Sequence, residues 1–277
     1  MCAAKMVGLE ILFFGMGSKK QNGRNEMKKT IFTSLALGIL SVGLMTGNAM
    51  ATPSTALQNV LDGITQITDS NPFGTSSVDV TQDYIAEGLD DYWAVSASGG
   101  SVATIIVELA GFANFNTFGV YDMADSNNRV QLFGGLQGAG ARTVLSIMDD
   151  GSVELGFVDT GRNFSGNNFG YYLTNKLGQT FFSDSSLNQD NKFDHMYAYQ
   201  GNNEDKVKIA NLAAGTWDDN EYVLAWEDLI NGGDQDFEDF VVMVESVNQI
   251  PEPSLMFLFG TGLTGLIGIA SRRKKNL

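Results

Sequence analysis

The chain has 277 residues, 43% of them hydrophobic, with a formal net charge of −15, one cysteine and one histidine. Between Thr52 and Ile250 seven basic residues stand against 29 acidic ones, all of the 32 except Glu10, Glu26 and Glu252, so that this stretch carries −22. A balance of that sign argues against nucleic acid, which needs clustered Lys and Arg, and one His with one Cys cannot furnish a zinc centre. Cations, or a role for solubility and self-repulsion, suit it better.

Residues 1–26 hold only a short apolar run, Ile11 to Phe14, and a polar stretch from Lys19 to Arg24 without periodicity. Translation is expected to start at Met27, the alternative being one signal with an extended n-region. Lys28 and Lys29, the apolar run Ile31 to Leu44 and the small-residue site Ala49-Met50-Ala51 compose a secretory signal peptide over 27–51, with export machinery and signal peptidase as the partners. Cys2 then lies outside the mature chain, which has no thiol or disulfide and must be stabilised by a packed core or bound ions. Roughly 200 residues suffice for one such core.

Over 52–90 the spacing of Leu57, Val60, Leu61, Ile64 and Ile67 predicts an amphipathic helix from Ser54 to Ile67, followed by a connecting segment. From 91 to 248 short β-rich runs alternate with Gly, Asn and Asp clusters such as Asp150-Gly151. These runs start at Tyr92, Val102, Thr117, Val130, Thr143, Val153, Gly170, Thr180, His195, Tyr222 and Phe240, the last reaching Val247. The fold class expected is all-β, an antiparallel sandwich or jelly roll. Asn248 to Ile250 reads as a linker.

The densest chemistry lies at Glu227, Asp228, Asp234, Asp236, Glu238 and Asp239, around the glycine bend Gly232-Gly233. Carboxylates packed this closely repel one another unless water or a cation screens them. Calcium takes six to eight oxygen ligands in flexible geometry, so Glu227, Asp228, Asp234, Asp236 and Asp239 are the candidate metal ligands and Ca2+ the candidate cofactor. A solvated acidic hairpin is the alternative. Asp234, Asp236, Glu238 and Glu245 fall at ligand-like spacings, yet Asp239 stands where an EF-hand needs glycine.

The tail over 249–277 reads Pro251-Glu252-Pro253, the apolar segment Leu255 to Ala270, then Arg272, Arg273, Lys274 and Lys275. That segment is marginal for a membrane-spanning helix, which needs roughly 17 to 25 apolar residues, and the basic end would hold the C-terminus at the cytoplasmic side. A C-terminal transmembrane anchor is expected, an ordinary tail anchor being the alternative. These three parts in this order resemble the PEP-CTERM sorting tail of Gram-negative bacteria. The resemblance implies recognition by an exosortase, a membrane cysteine protease, and transfer of the protein to the outer surface or an exopolysaccharide matrix, with exopolysaccharide as a possible partner.

A second resemblance rests on Glu227-Asp228-Leu229, Gly232-Gly233-Asp234-Gln235-Asp236 and Asp239-Phe240. With Phe118-Gly119-Val120-Tyr121 and the segment Thr180 to Tyr199, they look like an exported bacterial β-domain family catalogued as domain of unknown function 4114, over residues 95 to 247. Glu238 departs from the smaller polar residue expected there. The resemblance implies no chemistry. A structural or adhesive, non-enzymatic matrix role is the expectation. Rival readings are a carbohydrate-binding module using Trp217, Trp226, Tyr171, Tyr172 and Tyr197, and a glycoside hydrolase pairing Glu227 with Asp236. His195, the only histidine, is expected to pack rather than catalyse.

Overall fold

The computed structural model of the protein describes residues 53–67, 72–97, 100–108 and 115–250. The signal peptide with Ala49 and Ala51, and the tail from Pro251 onward, lie outside them. Ser54 caps α1 (Thr55–Ile64), its hydroxyl accepting from the Ala56 amide at 3.0 Å, because the first amides of a helix have no intrahelical partners. The helix ends before Ile67. The Thr65 hydroxyl donates back to the Leu61 carbonyl at 2.6 Å, and the chain extends into β1 (Thr65–Gln66).

Eight strands follow before the midpoint loops: β2 (Tyr92–Val95), β3 (Ser101–Glu108), β4 (Thr117–Asp122), β5 (Asp125–Phe133), β6 (Arg142–Ile147), β7 (Ser152–Leu155), β8 (Val158–Asn163) and β9 (Asn168–Thr174). Then come β10 (Thr180–Phe182), β11 (Met196–Gln200), β12 (Lys206–Val207), β13 (Gly215–Thr216), β14 (Glu221–Trp226), β15 (Phe240–Glu245) and β16 (Val247–Ile250). One sheet has seven strands in the order β11-β14-β15-β3-β6-β7-β8. A second has the order β16-β2-β9-β4-β5 with β10 on β9, and β1-β12-β13 form a small third sheet. The two large sheets are antiparallel throughout, and the chain passes between them repeatedly, as in a sandwich.

Side-chain alternation explains why β14 and β15 read as continuous apolar runs. Tyr222, Leu224 and Trp226 of β14 and Phe240, Val242 and Val244 of β15 enter the core between the sheets with Trp93, Phe118, Phe133 and Tyr171. Val223, Ala225, Val241 and Met243 face the other way, onto a second core with Leu57 and Leu61 of α1, Trp217 and Tyr197. The helix is therefore laid over the outer face of the larger sheet.

Three sequence expectations change here. The short strands β8, β12 and β13 carry no apolar periodicity, and their pairing is set by neighbours. The run ending at Val247 is broken at Ser246, which adopts a left-handed φ of 60°. That kink sends the chain into the second sheet, where Val247↔Val95 and Ile250↔Tyr92 pair, so 248–250 are strand and not linker, and the sandwich extends through Ile250.

Register fixes which loops share one end. Trp226 pairs with Met196 and with Phe240, Thr174 with Thr117 and Thr180, and Phe118 with Phe133. The loops β4 enters from, β5–β6, β9–β10, the approach to β11, and β14–β15 all lie at this end.

Candidate metal centre

The expected hairpin exists: β14 and β15 pair from Glu221↔Glu245 to Trp226↔Phe240, and residues 227–239 form the loop that closes it. Glu227 and Asp228 leave β14 towards opposite sides. Asp228 reaches the other sheet, where the Asn116 side-chain amide donates to its Oδ2 at 2.8 Å and the Asn175 amide to its carbonyl at 2.8 Å. The Asp228 amide donates to Asp239 Oδ2 at 3.0 Å. Glu227 turns back into its own loop and accepts from the Gln235 amide at 3.1 Å through Oε2.

Two acidic triads result, both containing Glu227. One is Glu227, Asp234 and Asp236, the other Glu227, Asp228 and Asp239, and in each the carboxylate oxygens lie within 4.8 Å of one another. Every candidate ligand expected from the sequence is thus brought together, and Glu238 joins neither triad. These clusters can hold a metal ion. The telling atom is Glu227 Oε1, which belongs to a residue 0% exposed and has no hydrogen-bond partner among the described residues. Asn116 Oδ1, beside Asp228, is likewise buried without a partner. Leaving such acceptors unpaired is expensive.

The loop's backbone makes the pocket. Asn231, Gly232, Gly233, Gln235 and Phe237 all have positive φ. A Cβ on Gly233 would collide with Glu227 Oε1, and one on Gly232 with the Phe193 ring, so both glycines are required by space as well as by conformation. Burial, with Asp239, Asp234 and Asp236 alongside, pushes the Glu227 carboxyl up to about 9. Burial, opposed by the Asp228 amide, pushes Asp239 to about 6, and Asp228 and Glu238 are raised mainly by burial as well. Neighbouring acids favour the protonated form in the same way that a cation would favour the ionised one.

His195 is the unexpected support of this loop. Its carbonyl accepts from the Glu227 amide at 3.0 Å, and its Nδ1 lies 3.0 Å from the Glu227 carbonyl. A carbonyl only accepts, so Nδ1 carries a proton. Nε2 meets Asp190 Oδ2 at 2.8 Å, and the same oxygen accepts from the Asn231 amide at 2.6 Å. Phe181 stacks on the ring with centroids 3.9 Å apart. His195 and Asp190 thereby clamp both ends of the segment 227–231. Sequence reasoning missed Asp190, Asn116 and Asn175, whose sequence distance from the loop hides their contact, although Asp190 five residues before the sole His was a visible signal.

The rival sites fare differently. Trp217, Trp226, Tyr171, Tyr172 and Tyr197 are all buried, so none offers a face on which a sugar could stack. Glu227 and Asp236 are close, yet the buried Glu227 lies under its own loop.

Residues 139–247 match the family model described as Domain of unknown function (DUF4114), and residues 249–274 match the PEP-CTERM protein-sorting motif. The first match takes in β6 to β15 and the whole acidic loop, and begins later than the likeness from residue 95. No curated protein and no solved structure matches the chain. The chain carries a PEP-CTERM protein-sorting motif, which indicates an exported protein directed to an exosortase and anchored transiently by its C-terminus, behind a β-sandwich that resembles DUF4114.

Proposed function

We propose that this protein is a non-enzymatic structural or adhesive component of the bacterial surface or exopolysaccharide matrix, and that its sandwich is locked by calcium in the 227–239 loop. The observation that carries the cation is Glu227 Oε1, buried and unpaired where two acidic triads meet. Calcium takes six to eight oxygens at about 2.3–2.6 Å in flexible geometry, which suits carboxylate oxygens that lie within 4.8 Å of one another in each triad. Magnesium demands near-ideal octahedral geometry and gives up its waters reluctantly, so a loop rich in protein carboxylates suits calcium better. Glu227, Asp234 and Asp236 would form the first ligand set, with Asp228 and Asp239 closing it from the other side.

The non-enzymatic reading is supported by the burial of Glu227 and by the engagement of His195 with Asp190 and the Glu227 backbone. A cation that binds only the folded state stabilises it by RT ln(1 + [L]/Kd), about 2.7 kcal/mol at a hundredfold excess over Kd. Thermal unfolding in millimolar calcium is therefore expected several degrees above that in chelator, with Asp234→Asn and Asp236→Asn abolishing the difference. Identical midpoints in calcium and chelator would sink the cation reading.

A further inference from the structure

The end of the sandwich that carries the acidic loop is also its greasiest. Half of the large apolar side chains exposed among the described residues sit on loops there: Phe115 at 53%, Leu136 at 90%, Leu177 at 66%, Leu229 at 37% and Ile230 at 48%. Four of them, all but Leu136, are tied to the loop through the chain or through the asparagines that hold it. Phe115 precedes Asn116, and Leu177 follows Asn175 by two residues, the two asparagines that hold Asp228. Leu229 and Ile230 continue the chain from Asp228 itself. Lys176 places its Nζ 4.4 Å from the Phe115 ring centroid, which brings a cation to the same rim. Soluble proteins seldom gather exposed apolar side chains on converging loops without a partner for them.

The direction of the last strand points to that partner. Ile250 pairs with Tyr92, and Trp93 pairs with Phe169, so β16 runs towards the acidic end, as β9 does on its way to Thr174. The apolar tail segment starts at Leu255, five residues beyond Ile250, a reach of at most about 18 Å. The chain therefore leaves its last strand heading towards the end that bears Phe115, Leu177 and Ile230, and the first apolar residue of the tail lies within that reach.

We infer that these loops form a calcium-dependent docking surface for an anionic phospholipid bilayer. The inference rests on the calcium reading and deepens it. Without a cation, the carboxylates of Asp234, Asp236 and Asp239 repel anionic headgroups. With one bound, the ion and Lys176 attract headgroup phosphates, and Phe115, Leu177, Leu229 and Ile230 enter the interface beneath them, each adding the transfer free energy of its apolar area. A polysaccharide would use the ion and leave the four apolar side chains idle, so a lipid surface is favoured over it.

The test uses the full chain carrying Cys2→Ser and Leu177→Cys, labelled with an environment-sensitive fluorophore and anchored through its tail in vesicles. Calcium is expected to give a several-fold rise in emission with a blue shift in phosphatidylglycerol vesicles, reversed by chelator and absent in phosphatidylcholine. Phe115→Ser combined with Ile230→Ser is expected to remove the rise while the thermal shift in calcium persists. A persisting thermal shift with no rise, or with a rise indifferent to those substitutions, overturns the lipid inference alone, as does a rise elicited by a soluble polyuronate and not by vesicles. Loss of the thermal shift in the otherwise unsubstituted chain overturns the calcium reading and the docking surface with it.

Discussion

Glu227 shows how one residue can carry opposite preferences. In the cation-free fold its carboxyl titrates at about 9, against an ordinary value of 4.5, so the folded state holds a proton that the unfolded chain releases. Stability from this group is fully present below about pH 4.5 and is lost as pH rises towards 9, because the folded state binds more protons than the unfolded one over that window. Asp239 adds the same sign of dependence between 3.8 and about 6. The unfolding free energy from denaturant titrations in chelator should therefore fall with pH across that window, by up to about 1.4 kcal/mol per pH unit for a single group. Calcium should reverse the slope above neutrality by holding the carboxylates ionised. Glu227→Gln mimics the protonated acid, so it is expected to flatten the chelator profile while eliminating the calcium response. A slope that survives this substitution would assign the pH dependence to other groups.

At the scale of elements, the molecule depends on strands buried on two faces. β14 and β15 contribute to both cores, and the outer core is closed by α1, whose Leu57 and Leu61 are fully buried. Leu61→Ala should cost about 2–5 kcal/mol in chemical denaturation, the usual range for such a truncation in a core, whereas Ser54→Ala should cost about 1 kcal/mol through the lost cap. If Leu61→Ala costs no more than the cap, the helix is a dispensable appendage. The clamp made by His195 and Asp190 is the other element-level device. His195→Phe keeps the stacking area against Phe181 and removes the bonds to Asp190 and Glu227. It is expected to lower calcium affinity more than it lowers the cation-free midpoint, as titration followed by the thermal shift would reveal.

At the scale of the whole molecule, the sorting tail leaves directly from a sheet strand. Pro251 comes immediately after Ile250, whose strand is paired with β2. The sorting motif thus begins without a spacer after the last strand of the sandwich. Deleting Pro251-Glu252-Pro253 should leave the protein at its unprocessed size in the inner-membrane fraction, as immunoblots of fractionated cells would show. A deletion that changes neither size nor location would sink the sorting reading.

Local chemistry was legible along the chain wherever it repeats over neighbouring residues. The alternation of β-rich runs and turns, the Ser54 start of α1, the hairpin around Gly232-Gly233 and the three parts of the tail were all visible, because each depends on residues a few positions apart. The gathering of Glu227, Asp228, Asp234, Asp236 and Asp239 around one bend was visible for that reason too. Strand partners of weak character, such as β8 and β12, were not, since exposed polar segments pair only because a neighbour's edge is there to receive them. Nor was the turn of β16 into the second sheet, which a single left-handed residue, Ser246, decides. The clamp from Asp190 and the grip of Asn116 and Asn175 on Asp228 join residues up to 112 positions apart, and buried aromatics such as Trp93 and Tyr222 meet across a longer stretch still. Contacts of that separation leave no periodic trace in a sequence, and only the packing of one sheet against the other brings them into being.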